Sequence, residues 1–345
     1  MATYYGTYGQ KVQYLASDPT DVQIGQVWYN STSAVLKVRS ATTSGTWASG
    51  GNLSTTRYGR SAFGTQTATL VSGGESNVLA PPYGYTTASE QYNGTSWTTG
   101  TALPQTNSRA IGVGVFTAGL VFGGGDDTTP GAPGTTTLKY NGTSWSSTGN
   151  LTESRYDAAG NGTNTAALAF GGANSSPPFN IRTTAETFNS TSWTNITGLN
   201  TARLSLASSK DAPNSVALAF GGFAPGPAAV SAATEEWNGT SWTNKSSMNT
   251  ARESLGGTGT VGSAIAFGGG TPPPTGATEL WNGTSWTTNP NSMANARFRV
   301  APSGSSSSGL ASGGYNGNPP TNNASLATEE WTGPGVGETK TVTVS

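Results

Sequence analysis

The chain has 345 residues, a net charge of −1 and only 10% charged residues, so it lacks the basic field that attracts nucleic acid or an anionic membrane. It contains neither Cys nor His, which excludes disulfides and zinc–thiolate sites and removes the commonest metal ligand and general base. We therefore predict no cofactor, no metal centre and no catalytic residues.

The first forty residues differ in pattern from the rest of the chain. Two apolar segments, Gln26–Tyr29 and Ala34–Arg39, flank the polar residues 30–33 and predict a β-hairpin that follows a polar arm. Residues 1–40 are expected to attach the chain to a larger assembly, or to cap the segment that follows. The first fifteen residues do not have the pattern of a secretory signal, whereas the surface is rich in Ser, Thr, Asn and Gly like that of an extracellular protein, so we expect a chain made in a cytoplasm and used outside the cell.

A repeated unit fills most of the remaining sequence. An apolar run ending in Gly-Gly recurs six times, at intervals of 50, 48, 50, 47 and 45 residues, beginning at Gly73-Gly74 and ending at Gly313-Gly314. An aromatic residue before a short turn recurs at Tyr92, Tyr140, Phe188, Trp237, Trp281 and Trp331. A tryptophan follows the turn at Trp97, Trp145, Trp193, Trp242 and Trp286, and an arginine follows that at Arg57 (after Trp47), Arg109, Arg155, Arg203, Arg252 and Arg297.

The segment from Arg252 to Trp286 illustrates the unit. It predicts four strands: Arg252–Thr260, Ser263–Phe267, Ala277–Trp281 and, after the Asn282-Gly283 turn, a strand that carries Trp286. A four-stranded sheet of this size cannot bury both faces alone, so the copies must stack, and the aromatic series is expected to fill the space between them.

The order of arginine, apolar strand, Gly-Gly, variable loop, aromatic, turn and tryptophan resembles the kelch repeat over residues 47 to 331. This resemblance implies an all-β, six-bladed kelch-like β-propeller, with residues 1–40 as the arm and hairpin and residues 41–345 as the propeller. The Trp47 strand and the C-terminal strand, Thr339–Val344, both remain candidates for the last strand of the sixth blade.

Five units carry a glutamate two residues before the hairpin aromatic, and Leu138 takes that position in the sixth. Residues two apart on a strand share a face, so these carboxylates are expected to be buried and to pair with the arginines. The predicted structural pairs draw on Glu90, Glu186, Glu235, Glu279 and Glu329.

The segments after each Gly-Gly vary, and in a four-stranded up-and-down sheet they emerge on one face. Variable loops on a rigid scaffold are where recognition usually resides. The candidate ligand- or partner-binding residues are Tyr83, Tyr85, Asp126, Asp127, Phe179, Phe223 and Tyr315. Asp126 and Asp127 offer oxygen ligands to Ca²⁺, but a solvated loop is the favoured explanation of this acidic pair.

The chain contains the short sequences NGTSWT and TEEWNG and the N-terminal segment GQVWYNSTSAVLKV. With these segments it resembles repeat-rich virion proteins of tailed bacteriophages, especially tail-associated ones. This resemblance implies a structural protein of a tail fibre or tail tip, present in several copies. Its expected partners are other tail or capsid proteins and, in an adhesive role, a host cell-surface glycan. The alternatives are a virion decoration or connector protein without a host ligand, and a glycan-processing propeller hydrolase.

Overall fold

The computed structural model describes residues 12–21, 25–41, 44–75, 84–125, 133–174, 180–226, 230–317, 324–335 and 337–342. The chain divides into two compact units, Met1–Thr46 with Thr332–Ser345, and Trp47–Trp331. The C-terminal strand thus lies with the N-terminal unit, whereas the sequence had placed it with the repeats. All regular elements in these ranges are strands, and the described chain contains no helix with the length and apolar character to span a membrane.

The first unit contains one mixed sheet in the order β1-β2-β3-β28. Its strands are β1 (Gln13–Leu15), β2 (Val27–Asn30), β3 (Val35–Ala41) and β28 (Gly337–Val342). The predicted hairpin corresponds to β2 and β3, and β28 pairs antiparallel with β3. Asp18 stabilises this unit, because its carboxylate accepts hydrogen bonds from Trp28 Nε1 (3.0 Å), Asn30 Nδ2 (2.7 Å) and Lys37 Nζ (2.6 Å).

The second unit, as far as the structure describes it, consists of six four-stranded sheets, numbered here 1 to 6 along the chain. In sheets 1 to 5 four consecutive strands pair antiparallel, each with the next. Their bounds are β5 (Ser61–Thr65), β6 (Ala68–Ser72), β7 (Ser89–Tyr92) and β8 (Trp97–Gly100); β9 (Ile111–Val115), β10 (Ala118–Phe122), β11 (Thr137–Tyr140) and β12 (Trp145–Ser147); β13 (Ala159–Gly162), β14 (Ala167–Phe170), β15 (Ala185–Phe188) and β16 (Trp193–Ile196); β17 (Ala207–Ser208), β18 (Ala217–Phe220), β19 (Thr234–Trp237) and β20 (Trp242–Lys245); and β21 (Gly256–Gly259), β22 (Ala264–Phe267), β23 (Thr278–Trp281) and β24 (Trp286–Asn289).

Sheet 6 combines the two ends of this unit. It has the order β25-β26-β27-β4, with β25 (Ala301–Gly304), β26 (Ser308–Ser312), β27 (Thr328–Thr332) and β4 (Thr46–Ser49). The strand that carries Trp47 therefore takes the position for which β28 was the other candidate. The first strands contact one another in the order β5, β9, β13, β17, β21 and β25, and β25 also contacts β5. The predicted all-β fold of repeated four-stranded sheets is confirmed, and the arrangement is consistent with a β-propeller.

Aromatic side chains fill the space between neighbouring sheets. The phenylalanine that ends the second strand of one sheet packs on the fourth-strand tryptophan of the next, as Phe170 does on Trp242 (ring centroids 4.9 Å apart) and Phe220 on Trp286 (4.8 Å). The same contact joins Phe267 of sheet 5 to Trp47 of sheet 6 at 5.0 Å. Burial of these rings is the main apolar contribution that holds adjacent sheets together.

The Gly-Gly pair lets each sheet approach the segment that enters the next one. Gly221 and Gly222 have φ of +66° and +101°, which L side chains rarely adopt. A Cβ at Gly221 would lie 2.8 Å from the carbonyl oxygen of Arg252, and Gly222 N donates to that oxygen at 2.8 Å. A larger residue here would therefore separate the two backbones.

Buried ion pairs join the entry segment of a sheet to its third strand. In sheet 4, Arg203 Nη2 bonds Glu235 Oε1 at 2.8 Å, while Arg203 Nη1 donates to the carbonyls of Gly221 (2.9 Å) and Ala233 (2.7 Å). Both side chains are at most 1% exposed. The equivalent pairs in the described chain are Arg57–Glu90, Arg155–Glu186, Arg252–Glu279 and Arg297–Glu329, at 2.6 to 2.9 Å.

Sheet 2 lacks this pair, and the prediction that Arg109 belongs to the series is wrong. Asn107 occupies the position of the buried arginine, and its Nδ2 donates to the Gly123 carbonyl at 3.1 Å, as the arginines do in other sheets. The glutamate position holds Leu138, which is 1% exposed. Arginine and glutamate are therefore absent together, so neither charge is left buried without a partner.

Candidate functional site

Six residues occupy one equivalent backbone position at the entry to the six sheets, two residues after the buried Arg or Asn. All have positive φ, between 49° and 65°. This left-handed conformation is uncommon for residues other than glycine. The residues are Gly59, Arg109, Asp157, Ser205, Ser254 and Arg299; we call them the entry ring.

Backbone hydrogen bonds link the members of the entry ring. Arg109 N donates to the Gly59 carbonyl (2.6 Å), Asp157 N to Arg109 (3.2 Å), Ser205 N to Asp157 (2.6 Å), Ser254 N to Ser205 (2.8 Å) and Arg299 N to Ser254 (2.7 Å). The bonds fix the backbone whatever the side chain is. The positions can therefore vary in chemistry without a change of fold.

The charged side chains of the entry ring form a closed network with Glu75. Arg109 Nε lies 3.0 Å from Glu75 Oε1, and Arg299 Nη1 lies 3.4 Å from the same oxygen. Asp157 Oδ2 lies 3.1 Å from Arg299 Nη2 and 3.9 Å from Arg109 Nη1. Burial lowers the pKa of Arg109, but Asp157 and Glu75 outweigh burial and raise it. Two cations and two carboxylates thus alternate in this network.

Tyrosines surround this network. Burial raises the pKa of both Tyr58 and Tyr156 to about 12, with the nearby carboxylates adding to the effect. Tyr315 stacks between Tyr58 (4.9 Å between ring centroids) and Phe298 (5.3 Å). The guanidinium carbon of Arg109 lies 5.6 Å from the centre of the Tyr156 ring. The site therefore combines stacking faces, neutral hydroxyl donors and fixed charges, which suits polar ligands with several hydrogen-bonding groups.

The entry ring surrounds a cavity of about 110 Å³, which we call the upper chamber. Its walls below the ring include Ala110, Ala158, Leu206 and Leu255. These four residues also line a second cavity of about 110 Å³, the lower chamber, whose lining includes Lys210. Among the residues that the structure describes, no three Asp, Glu, His or Cys side chains converge as a metal site would require.

The structure brings only part of the predicted loop site together. Tyr315 lies close enough to the charged network for Arg299 and Arg109 to affect its pKa. Tyr85 is buried and contributes to the electrostatic environment of Arg109. Phe223 instead packs in an apolar cluster with Tyr156, Ala173 and Leu204. Four of the predicted residues lie outside the described residues: Tyr83, Asp126, Asp127 and Phe179.

Sequence reasoning missed Glu75, Asp157 and Arg299, and it assigned Arg109 to the structural arginines. Two signals could have identified them. The buried arginine precedes its Gly-Gly by 16 residues in most units, and in sheet 2 that interval leads to Asn107. The position two residues further on then reads Gly, Arg, Asp, Ser, Ser and Arg, and it carries charged residues in three units.

The fold and the site define a propeller-like all-β repeat protein with one non-repeating polar cluster. No protein-family model matches the sequence, and no curated protein matches it. Among solved structures, the chain is similar to one described as the structure of YjhT, a kelch-type propeller protein. The TM-score is 0.65 at 14% sequence identity, over 80% of this chain and 95% of that one. At this identity the similarity concerns the fold alone.

Proposed function

We propose that the second unit is a closed, six-bladed, kelch-like β-propeller in which sheets 1 and 6 meet. Contacts between those two sheets support the proposal. Trp97 Nε1 donates to Thr328 Oγ1 at 2.9 Å, and Gln66 Nε2 donates to the Gly309 carbonyl at 2.9 Å. Thr69 Oγ1 and Ser303 Oγ lie 2.6 Å apart. A ring closed in this way leaves no first or last sheet with an unpartnered face.

We further propose that this propeller is a structural, tail-associated virion protein of a tailed phage that binds a host-surface glycan or a virion partner through the upper chamber and its surroundings. The short repeated sequences NGTSWT and TEEWNG support the virion role. The entry ring supports the location of the binding site, because six positions with one backbone conformation carry four different side-chain types. In a repeat protein, variation at a backbone-constrained position has no structural reason, so we assign it to ligand recognition.

We assign a binding role rather than a catalytic one to this cluster. Both of its carboxylates, on Glu75 and Asp157, contact both arginines, so neither is free to act as a general base or nucleophile. Paired Arg–carboxylate groups hold fixed hydrogen-bonding directions, which favours recognition of a sugar or a polar peptide surface.

The proposed role is tested with purified full-length protein, intact candidate host cells, and tails that lack this protein. We expect the protein to dock on the tails and to bind the cells, and an antibody against it to label virions at the tail. Docking on the tails without binding to cells would remove the adhesive role and leave a decoration or connector protein. Absence of both docking and virion labelling would contradict the virion role.

A glycan-processing hydrolase is the second candidate, and Glu253 is the observation that favours it. Burial raises the pKa of Glu253, and the nearby Asp157 raises it further, although Arg299 opposes this. Glycoside hydrolysis uses a pair of carboxyl groups, and a raised pKa on one of them suits it to act as the general acid. We expect no release of reducing sugar when the protein is incubated with host polysaccharide. Release that the Glu253→Gln variant abolishes would establish the hydrolase.

A further inference from the structure

We propose that the lower chamber is a binding site for a small anion, a halide ion or the carboxylate of a small acid, held by the ammonium group of Lys210. This site is distinct from the entry ring, and the inference does not depend on a virion location. It rests on the position of Lys210, on the charges around the lower chamber and on the backbone groups that face it.

Lys210 reaches the lower chamber because sheet 4 contains a local insertion. In sheet 4 the buried arginine precedes its Gly-Gly by 18 residues, from Arg203 to Gly221, rather than by the usual 16. The extra residues follow the short strand β17 and send Lys210 across to two other sheets. Lys210 Nζ donates to the carbonyls of Ala62 in sheet 1 (2.9 Å) and Pro302 in sheet 6 (3.2 Å). The side chain therefore forms the floor of the lower chamber.

The lower chamber has positive charge without a counter-charge. Among its lining residues in the described chain are two cations, Arg60 and Lys210, and no Asp or Glu. Asp211, which is solvent-exposed, does not line the lower chamber; it lines an adjoining pocket of about 10 Å³ together with Lys210 and acts electrostatically on the ammonium group from there. Burial lowers the pKa of Lys210 to about 8, so the ammonium form still predominates at pH 7. Arg60 is buried, and its Nε and Nη1 have no hydrogen-bond partner. Such an unpaired charge is costly, and an anion in the chamber would offset that cost for Arg60 and Lys210 together.

Lys210 has a donor to spare for such an anion. An ammonium group has three N–H donors, and the two carbonyls engage two of them. Backbone N–H groups can supply further donors, since a residue in an antiparallel strand presents its N–H and C=O on the same edge. Gly112, Gly160 and Gly257, at positions equivalent to Ala62, also line the chamber. By the same argument each of them presents both an N–H and a C=O group towards it.

The size and lining of the cavity define the class of ligand. About 110 Å³ accommodates a halide with water, or a short carboxylic acid, but not a bulky sulfonate. The walls near Ile111, Leu206 and Leu255 are aliphatic and suit the methyl end of a small acid. Because both chambers share lining residues, the carboxylate could also belong to a ligand that enters through the entry ring.

Two measurements on the full-length chain test this inference. The first is anomalous diffraction from crystals soaked in bromide, in which we expect a bromide peak within about 3.5 Å of Lys210 Nζ. The second is thermal unfolding in chloride or acetate, compared with a bulky morpholine sulfonate at equal ionic strength. Wild type should gain on the order of 2 °C at about 100 mM of either small anion. Lys210→Met should lose this gain, whereas Lys245→Met, at an outer-strand lysine, should retain it.

The outcomes separate the possibilities. Equal stabilisation by chloride and acetate would identify a free-ion site, whereas stabilisation by acetate alone would identify a site for the acid group of a ligand. Absence of a bromide peak together with equal melting temperatures in all three salts would overturn the inference. If Lys210→Met does not fold, the wild-type bromide and salt measurements still decide it. Loss of host-cell binding would not affect this result, because the anion site is assayed without cells.

Discussion

At the scale of single residues, Arg60 carries a destabilising charge. Its side chain is 6% exposed, its Nη2 donates to the Arg57 carbonyl, and its Nε and Nη1 have no hydrogen-bond partner. Burial and, to a smaller extent, the nearby Arg57 together lower its pKa to about 9. The equivalent positions in sheets 4 and 5 hold Leu206 and Leu255.

Replacement of Arg60 by Leu should therefore stabilise the protein. Removing an uncompensated buried charge in favour of an apolar side chain is expected to raise the free energy of unfolding by about 1–3 kcal/mol. For a chain of this size, the melting temperature should rise by at least about 2 °C. Arg203→Leu is the matched comparison and should lower the melting temperature, since it leaves Glu235 buried and unpaired. A lower melting temperature for Arg60→Leu would mean that the guanidinium has a partner.

The hydrogen bonds of Asp18 lead us to expect a structural change in the first unit at acid pH. The hydrogen bond from Lys37, with those from Asn30 and Trp28, lowers the pKa of Asp18 from 3.8 to about 2. A lowered folded-state pKa means that the contribution of Asp18 to stability is complete above about pH 4 and is lost as the pH falls towards 2. The Trp28 indole N–H signal in NMR spectra should shift with a midpoint near pH 2, and Asp18→Asn should abolish this shift. A midpoint near pH 4 would show that these hydrogen bonds do not form in solution.

At the scale of elements, the Arg–Glu pair fixes the entry segment of a sheet against its third strand. Glu235→Gln should lower the free energy of unfolding, by up to about 3–5 kcal/mol, because it leaves Arg203 buried without a counter-charge. It should leave ligand binding unchanged, because Glu235 does not line the upper chamber. Chemical denaturation and cell-binding assays on the same preparation measure both quantities. Intact stability with lost binding would assign Glu235 to the ligand site.

Sheet 2 offers a natural model for a double substitution. Its Asn107 and Leu138 replace the ion pair, so Arg203→Asn combined with Glu235→Leu reproduces in sheet 4 what sheet 2 already tolerates. The double variant should be more stable than either single variant, with a coupling energy of about 1–3 kcal/mol. Denaturant unfolding of the four proteins in the cycle measures it. Additive losses would mean that the two side chains act independently.

The sequence predicted most of the elements, because their boundaries depend on local chemistry. The predicted strands Ser263–Phe267 and Ala277–Trp281 differ by one residue from β22 and β23, since Gly-Gly and Asn-Gly end strands through backbone conformation alone. The Asn282-Gly283 turn also depends on a side chain, because it does not have two residues with positive φ. Only Gly283 has positive φ, and the Asn282 side chain accepts N–H bonds from Thr284 and Ser285 instead.

The site could not be predicted in the same way, because it depends on which sheets meet. Glu75, Arg109, Asp157 and Arg299 come from sheets 1, 2, 3 and 6, and only the arrangement of the sheets brings them within 4 Å. Lys210 likewise contacts sheets 1 and 6 from an insertion in sheet 4. The local sequence pattern shows that residues are inserted, but it does not show towards which sheets they extend. The Arg109 error arose because the spacing was counted from the preceding tryptophan, which varies, rather than to the following Gly-Gly.

At the scale of the whole molecule, the proposed closure predicts that Trp47 contributes as much to stability as an internal tryptophan does. Its indole N–H donates to Thr278 Oγ1 at 2.8 Å, and the ring packs on Phe267 and Trp331. Trp286 makes the same type of bond, to Thr234 at 2.9 Å. Trp47→Ala and Trp286→Ala should each cost about 3–5 kcal/mol in thermal or denaturant unfolding. A much smaller effect of Trp47→Ala would indicate an open arrangement of sheets.

The measurement that most directly tests the assigned binding site compares cell binding by wild type, Asp157→Ser/Arg299→Ser and Glu236→Ser/Lys245→Ser. Serine already occupies the entry ring at Ser205 and Ser254, so the first variant keeps the backbone and the net charge. The second variant removes a surface pair from β19 and β20 whose charged atoms lie 3.4 Å apart, and it likewise replaces one acidic and one basic residue by serine.

We expect the entry-ring variant to fold and to lose at least about tenfold in affinity, as the loss of one charge-assisted contact implies. The surface variant should bind as wild type does. Equal binding by all three proteins would contradict the assignment of ligand recognition to the entry ring.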